Sequence, residues 1–412
     1  MWGILRNLKI KTVVLLMIII VLTSIIIVFH PIQIFYGDDS SSEVPILIWW
    51  TSFMPNFDRI IKCEEEKYTC LISSDKSLNN KIAAFLFYGS HIENHEFPSP
   101  TTNALWAIFH EESPKNYAPF LYQETQDLFN ITSTFSRYSD FPVTLQYLEN
   151  LSLLTSRKYF LALNEKNIRL QNLSPILYVQ SDCDTPIGRD YLVNELSKYI
   201  KIDSYGKCLK NKEFPKEMNE VDPLNLFDEK YMHFMAQYKF IISFENAICE
   251  DYITEKLWRP LIVGSIPIYF GSPTIEDWLP NKNSAILAKN FEDMQSLAKF
   301  IEVINQNNTL YNSFLEHKLH SRISNDFIRD NILDQHPVSE FECFVCKKIH
   351  QKDYSFGGKK KNVYDCLKPT ARKNEENTWD QHWEIGKCQS KALQILRNQG
   401  KSYSQKIFQG TW

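Results

Sequence analysis

The stretch KFIISFENAICEDYITEKLWRPLIVGSIPIYFGSP, residues 239–273, sets acids, a tyrosine and lysines between two apolar runs. Phe240 to Phe244 reads as a short buried strand, Ile253 to Ile262 as helix, and Ser265 to Phe270 as a second strand closed by Gly271. A strand, helix, strand unit of this kind builds an open α/β sheet, in which ligands bind at the carboxyl ends of the strands. FENAICEDYITEK occupies that end, so its polar residues are expected to face a cleft.

The same alternation continues outward. Upstream lie a strand at Ile176 to Gln180, a helix at Arg189 to Tyr199, a strand at Lys201 to Tyr205 and a helix at Glu229 to Gln237. Downstream come a strand at Ala285 to Ala288 and a helix at Asp293 to Ile304, which delimits one α/β domain at 175–335. Strand-like runs at Pro45 to Trp50, Thr69 to Ser73, Ile82 to Tyr88, Ala104 to Phe109 and Asn130 to Phe135 predict another at 45–150, joined by a polar connection at 151–174. Two domains suit a chain of 412 residues that is 44% hydrophobic. A Lys-rich, cysteine-bearing extension follows at 336–412, and its GGKKKN run reads as a solvated loop. No repeat of fixed period is present, and a net charge of -4 gives no nucleic-acid signal.

Residues 12–29, TVVLLMIIIVLTSIIIVF, are uncharged and long enough to cross a bilayer. Arg6, Lys9 and Lys11 precede them and Asp38 and Asp39 follow, which predicts a cytosolic tail at 1–11, an uncleaved signal anchor at 12–29, a short stem at 30–44 and a luminal remainder. Sequons at Asn130, Asn150, Asn172 and Asn307 agree with a secretory-pathway lumen. In that oxidising compartment the nine cysteines are expected mostly as disulfides, with at least one left over. Cys63 and Cys70 are spaced to close a small local loop. Cys343 and Cys346 lack the second close pair that zinc requires, so no metal site is expected there.

Neither GxGxxG nor GxxxxGK[ST] occurs in the second domain, so phosphates would need another grip. Lys256 lies at the start of the helix after a strand and Arg189 opens another, where unpaired N–H groups already favour an anion. The bland alternative for either cation is a surface ion pair worth ~0–1 kcal/mol, and Glu250 and Glu255 share that ambiguity. In the first domain His110, Glu111 and Glu112 follow an apolar strand. A partly buried carboxylate there suits proton abstraction from a hydroxyl, and position alone does not choose between the two acids. Asp182 and Asp184 form a DxD pattern, expected to act as a loop or N-cap element rather than to hold a cation.

FENAICEDYITEKLWRPLIVGSIPIYFGSP resembles the signature of the α1,3-fucosyltransferases, glycosyltransferase family 10. Glu112-Ser113-Pro114 is similar to the family's Glu-Ser-Pro element, and FNITSTFSRYSDFPV, residues 129–143, to a further family segment, so the resemblance spans about 45–335. It implies an α/β enzyme of GT-B type, two Rossmann-like domains facing a cleft, that uses GDP-fucose with inversion and without an obligatory metal or other cofactor. Position by position, Glu112 resembles the general base, Arg189 and Lys256 the cations on the GDP phosphates, and Tyr252 and Glu255 donor-site residues. Glu245, Asn246 and Glu250 stand as supporting positions. HEESPKN in place of FESPSH, Cys249 where histidine often falls, and the cysteine-bearing extension resemble a divergent branch of the family that modifies protein. For that branch the implied acceptor is a Ser or Thr hydroxyl on folded, disulfide-rich luminal domains, in the endoplasmic reticulum or Golgi. GlcNAc on N-glycans is the alternative acceptor, and a glycan-binding protein without catalysis is the more remote reading.

Overall fold

The computed structural model describes residues 44–51, 58–78, 82–92, 97–98, 103–218, 221, 225–333, 336–353, 362–369 and 378–399. The run at 12–29 read as an anchor lies outside them. Among the described residues no helix is long and apolar enough to cross a membrane.

Two sheets organise residues 44–399. The first contains β1 (Ile46–Thr51), β2 (Asp58–Cys63), β3 (Tyr68–Ser73), β4 (Ile82–Tyr88), β5 (Leu105–His110) and β6 (Ile131–Thr134), in the order β2-β3-β1-β4-β5-β6. All neighbours are parallel except β2, which runs antiparallel to β3 along the edge. The second sheet is wholly parallel and contains β7 (Ile176–Gln180), β8 (Ile202–Gly206), β9 (Phe240–Phe244), β10 (Ile266–Phe270) and β11 (Ile286–Leu287), ordered β11-β10-β9-β7-β8. Every residue of β9 is buried, which is why the strand reads as a continuous apolar run: helices cover both faces of a parallel sheet.

The principal helices are α1 (Leu163–Arg169), α2 (Arg189–Ser197), α3 (Glu229–Met235), α4 (Glu255–Val263), α5 (Met294–Gln306), α6 (Pro337–Gln351) and α7 (Thr378–Gln399). Helix α4 starts two residues later than its periodicity suggests, because Thr254 is extended and caps it with its hydroxyl. It stops at Gly264, whose φ of 71° and the Phe160 ring 2.4 Å from where a Cβ would sit both demand glycine.

The edge strand β2 is absent from the sequence expectation, since DRIIKC shows no clean alternation and only Ile61 and Cys63 of its six residues are buried. The cysteine pairing also differs. Cys63 joins Cys343 and Cys70 joins Cys346, 280 and 276 residues away, so the Cys63–Cys70 loop does not form. Both partners lie on α6, one turn apart, which explains a spacing that imitates half a zinc site. Helix α6 therefore belongs to the first sheet, where its buried Glu342 accepts from Trp49 Nε1 at 2.8 Å and pairs with Arg59. Helix α7 packs on the same lobe: the Tyr122 hydroxyl donates to Trp383 O at 2.6 Å, and Arg397 lies 3.8 Å over the Trp106 ring.

Replacing Cys63 and Cys70 together by serine is expected to cost about 2–5 kcal/mol, because the links close very long loops in the unfolded chain. The measurement is the thermal midpoint. No fall in it would mean that the packing of α6 alone holds the helix in place.

Candidate active site

In an open parallel sheet the crevice opens where the strand order reverses, and here that point lies between β7 and β9. A cavity of about 550 Å³ occupies it, lined by residues of β7 and β9, by Asn246 just past β9 and by the first residues of α2 and α4. Its volume is that of an ordinary small-molecule site. Its wall contains Arg189, Asn246, Glu255, Lys256 and Arg259, with apolar flanks from Leu177, Ile241 and Met235.

Arg189 is the first residue of α2, preceded by Gly188 at φ 59°, and is only 1% exposed. Its guanidinium donates to Asp182 O at 2.5 Å and to Phe244 O at 3.5 Å, and its buried Nε has no hydrogen-bond partner among the described residues. A fixed charge with an unused donor beside a cavity is poised for an anionic ligand.

Lys256 is the second residue of α4. Its Nζ lies 3.0 Å from Thr254 Oγ1, 3.1 Å from Glu255 Oε1 and 3.6 Å from Glu245 Oε2. Burial works against its charge, but Glu255, Glu245 and Glu112 together outweigh that and raise its pKa. Glu255 is pushed up by burial and pulled down further by Lys256 and Arg259, so it remains a carboxylate. Glu245 is different: burial lifts it to about 7, even though Thr254 donates to it through both N–H and hydroxyl. It serves as a buried brace for the start of α4.

The first lobe reaches this signature from the end of β5. Tyr252 donates its hydroxyl to Glu112 Oε2 at 3.0 Å, and Ser113 Oγ donates to Asn246 Oδ1 at 2.8 Å. The Glu-Ser-Pro element thus meets the FENAICEDY segment directly. Tyr252, expected at the donor, is 1% exposed and is not part of the cavity wall; it holds Glu112 instead. Glu250 likewise stands off the wall, with its N–H given to Asp365 O at 2.8 Å.

The two adjacent acids that sequence left undecided diverge in space. Glu112 turns to the donor-side signature. Glu111 accepts from the Tyr88 hydroxyl at 2.5 Å, and burial raises it to about 6. His110 is buried, its pKa pressed down to about 3 by that burial, and its Nδ1 lies 2.8 Å from the Tyr364 hydroxyl. It is a neutral packing residue and not a base.

Asp182 pairs with Lys115 at 2.7 Å and Asp184 accepts from Trp379 Nε1 at 2.8 Å. Both sit in the loop before α2, whose N-cap is Gly188, so the N-cap alternative does not hold while the loop role does. The two groupings of His, Cys, Asp and Glu among the described residues, Cys70 with Cys346 and His350, and Cys183 with Cys208 and Asp190, have their thiols in disulfides. Of the sequons, Asn150, Asn172 and Asn307 are exposed, while Asn130 is half-buried and accepts from Trp106 N at 2.8 Å.

Two contributors went unread in the sequence. Arg137, inside FNITSTFSRYSDFPV, donates through N, Nε and Nη2 to the carboxylate of Asp251 at 2.6–3.0 Å and pairs with Asp277 at 2.8 Å. Asp251 is fully buried at φ 62° immediately before Tyr252, so this ion pair fixes the residue that holds Glu112. The other is Tyr364, stacked on Phe120 at 5.1 Å and brought there by the Cys249–Cys366 disulfide. Only the presence of an extra cysteine in the signature hinted at that strap.

Comparison with known proteins gives a consistent result. The family description "Fucosyltransferase, N-terminal" matches residues 41–147, and "Glycosyltransferase family 10 (fucosyltransferase) C-term" matches 171–368. A "GDP-fucose protein O-fucosyltransferase 3" of Xenopus laevis is 38% identical over 395 residues, covering 87% of this chain and 82% of the relative. The protein of the same name from Homo sapiens is 36% identical over 400 residues, covering 89% and 82%. A crystal structure of an α1,3-fucosyltransferase with GDP aligns at a TM-score of 0.47 and 16% identity over 76% of this chain and 93% of that one.

Proposed function

The chain belongs to glycosyltransferase family 10 and is a GDP-fucose-dependent fucosyltransferase, and from that premise we propose that it transfers L-fucose, with inversion, to Ser or Thr hydroxyls of folded luminal protein domains. The observation that carries the proposal is the meeting of Glu112 with the signature that bears Lys256. Support comes from an acid of one lobe bonded to Tyr252 of the segment whose Lys256 lines the cavity of the other.

The chemistry follows from these residues. GDP lies in the cavity at the β7–β9 crevice, with its diphosphate on Arg189, Lys256 and the N-termini of α2 and α4. The acceptor hydroxyl approaches the fucose C1 from the face opposite GDP and loses its proton to Glu112 as the new C–O bond forms. The old bond to the β-phosphate breaks, its electron pair leaves with GDP, and fucose passes through an oxocarbenium-like state to the α product. Arg189 and Lys256 meet the charge that grows on the leaving diphosphate. Glu255 is suited to accept from the ribose hydroxyls, and Glu245 and Asn246 hold the segment in place.

The name carried by the relatives, a protein O-fucosyltransferase, supports the protein acceptor. Four disulfides, three exposed sequons and the apolar run at 12–29 support a single-pass type II protein with its catalytic part in the lumen of the endoplasmic reticulum or Golgi. The deciding assay offers GDP-fucose with two acceptors, a GlcNAc-terminated glycopeptide and a folded disulfide-rich protein domain, and reads products by mass spectrometry. Label on the domain is expected; label on the glycopeptide alone would replace this reading with glycan fucosylation. Treatment with EDTA is expected to leave the rate unchanged, since side-chain cations face the diphosphate. A loss restored by manganese would return Asp182 and Asp184 to the mechanism.

A further inference from the structure

A second cavity, of about 640 Å³, is lined by Glu111, the neighbour of Glu112, and shares no residue with the wall of the GDP crevice. Leu145, Leu148, Leu226 and Val338 give it an aliphatic part, and Tyr88, Glu111, Gln146, Glu149, Asn150 and His336 a polar one. Glu111 Oε1 is taken by the Tyr88 hydroxyl, but Oε2 is buried and has no hydrogen-bond partner among the described residues. A buried carboxylate oxygen left unpaired costs about 1–3 kcal/mol, so its retention beside a cavity points to a donor supplied by a ligand.

We propose that this cavity receives the acceptor polypeptide: a large apolar side chain next to the modified Ser or Thr fills the aliphatic part, and a backbone N–H of the same segment donates to Glu111 Oε2. The inference rests on the protein-acceptor reading above. Continuity with the reaction centre comes from Tyr147, which lines the cavity. It shares the cavity lining with Glu111, the neighbour of Glu112 in the chain, and its hydroxyl is made less acidic first by burial and then by the charges of Glu112, Glu255, Glu111 and Glu245. The wall is mixed, aliphatic on one part and polar on the other. A peptide segment offers an apolar side chain and one amide donor, which is what the wall and Glu111 can satisfy.

The probe is the folded disulfide-rich domain fucosylated in the assay above, both unaltered and with the apolar residue beside its modified Ser or Thr changed to Asp. The enzyme variants are Val338→Trp, which fills the cavity, and Glu111→Gln, which keeps its size and its bond to Tyr88. Val338→Trp and the Asp-bearing probe are each expected to raise KM for the domain about tenfold. Glu111→Gln is expected to raise KM severalfold with kcat retained, and all variants should keep the wild-type Kd for GDP. Unchanged KM for Glu111→Gln and for the Asp-bearing probe overturns the proposal, and so does unchanged KM for a Val338→Trp enzyme that still binds GDP. If Val338→Trp fails to bind GDP it has misfolded, and the other two measurements decide. Should the wild type label only the glycopeptide, the underlying reading falls first, before any variant is made.

Discussion

Glu112→Gln is expected to abolish transfer almost completely, lowering kcat by about 10²–10⁴-fold, the usual contribution of a positioned general base. The amide keeps the shape of the side chain, and its one oxygen, Oε1, can still accept from the Tyr252 hydroxyl, so the contact between the lobes survives. What disappears is the ability to take a proton from the acceptor hydroxyl. Binding of GDP is expected to stay within twofold, because the Glu112 carboxylate bonds Tyr252 and takes no part in the cavity wall. Purified enzyme with undiminished turnover after this change would remove Glu112 from the mechanism. Since Glu111 is bonded to Tyr88 on the other side, Glu111→Gln serves as the control that separates a base from a neighbouring acid.

Lys256→Ala has the second largest expected effect, and it falls on the donor. A charge-assisted hydrogen bond to a phosphate is worth about 1.5–3 kcal/mol, or roughly 10–100-fold in Kd. Two further consequences push the same way. Glu255 loses the cation that holds it low, and Glu245, 3.6 Å from Nζ, loses its only ion-pair partner among the described residues. Glu255, which lines the cavity, would then confront the diphosphate. Calorimetry with GDP reads the outcome, and an unchanged Kd would contradict the assignment. Arg189→Ala probes the same charge from the start of α2; its guanidinium also ties Asp182 and Phe244 together, so some of its effect would be structural.

What the sequence made legible is what lies close together along the chain. The strand, helix, strand unit at β9, α4 and β10 emerges from buried runs only five residues long, and its register, with Ile268 beside Ile242, leaves no alternative face. Lys256 could be placed because its helix begins where its strand ends. Glu112 needed more: a pair of acids after an apolar strand says where a base can sit, and only the resemblance chose between them. The partners it meets are remote. Tyr252 is 140 positions from Glu112, Arg137 is 114 from Asp251, and the α6 cysteines are 276 and 280 from theirs. No periodicity carries that information, because pairing at such distance is decided by how whole sheets pack. The same cause applies to Tyr252, whose position in the signature suggests the donor while its hydroxyl bonds Glu112 of the other lobe.

Cys249 sits inside the donor-side signature, yet the cysteine that clasps it is made 117 residues later. With it come Tyr364, which packs on Phe120 of the first lobe, and the paired backbone of Asp365 and Leu367 with Glu250 and Ile248. A nascent chain can therefore expose the complete signature while still lacking the segment that locks it to its counterpart. Polypeptides that stop before Cys366 retain the signature and its contacts with Glu112, Ser113 and Arg137, but not the covalent clasp that joins Cys249 to the later segment.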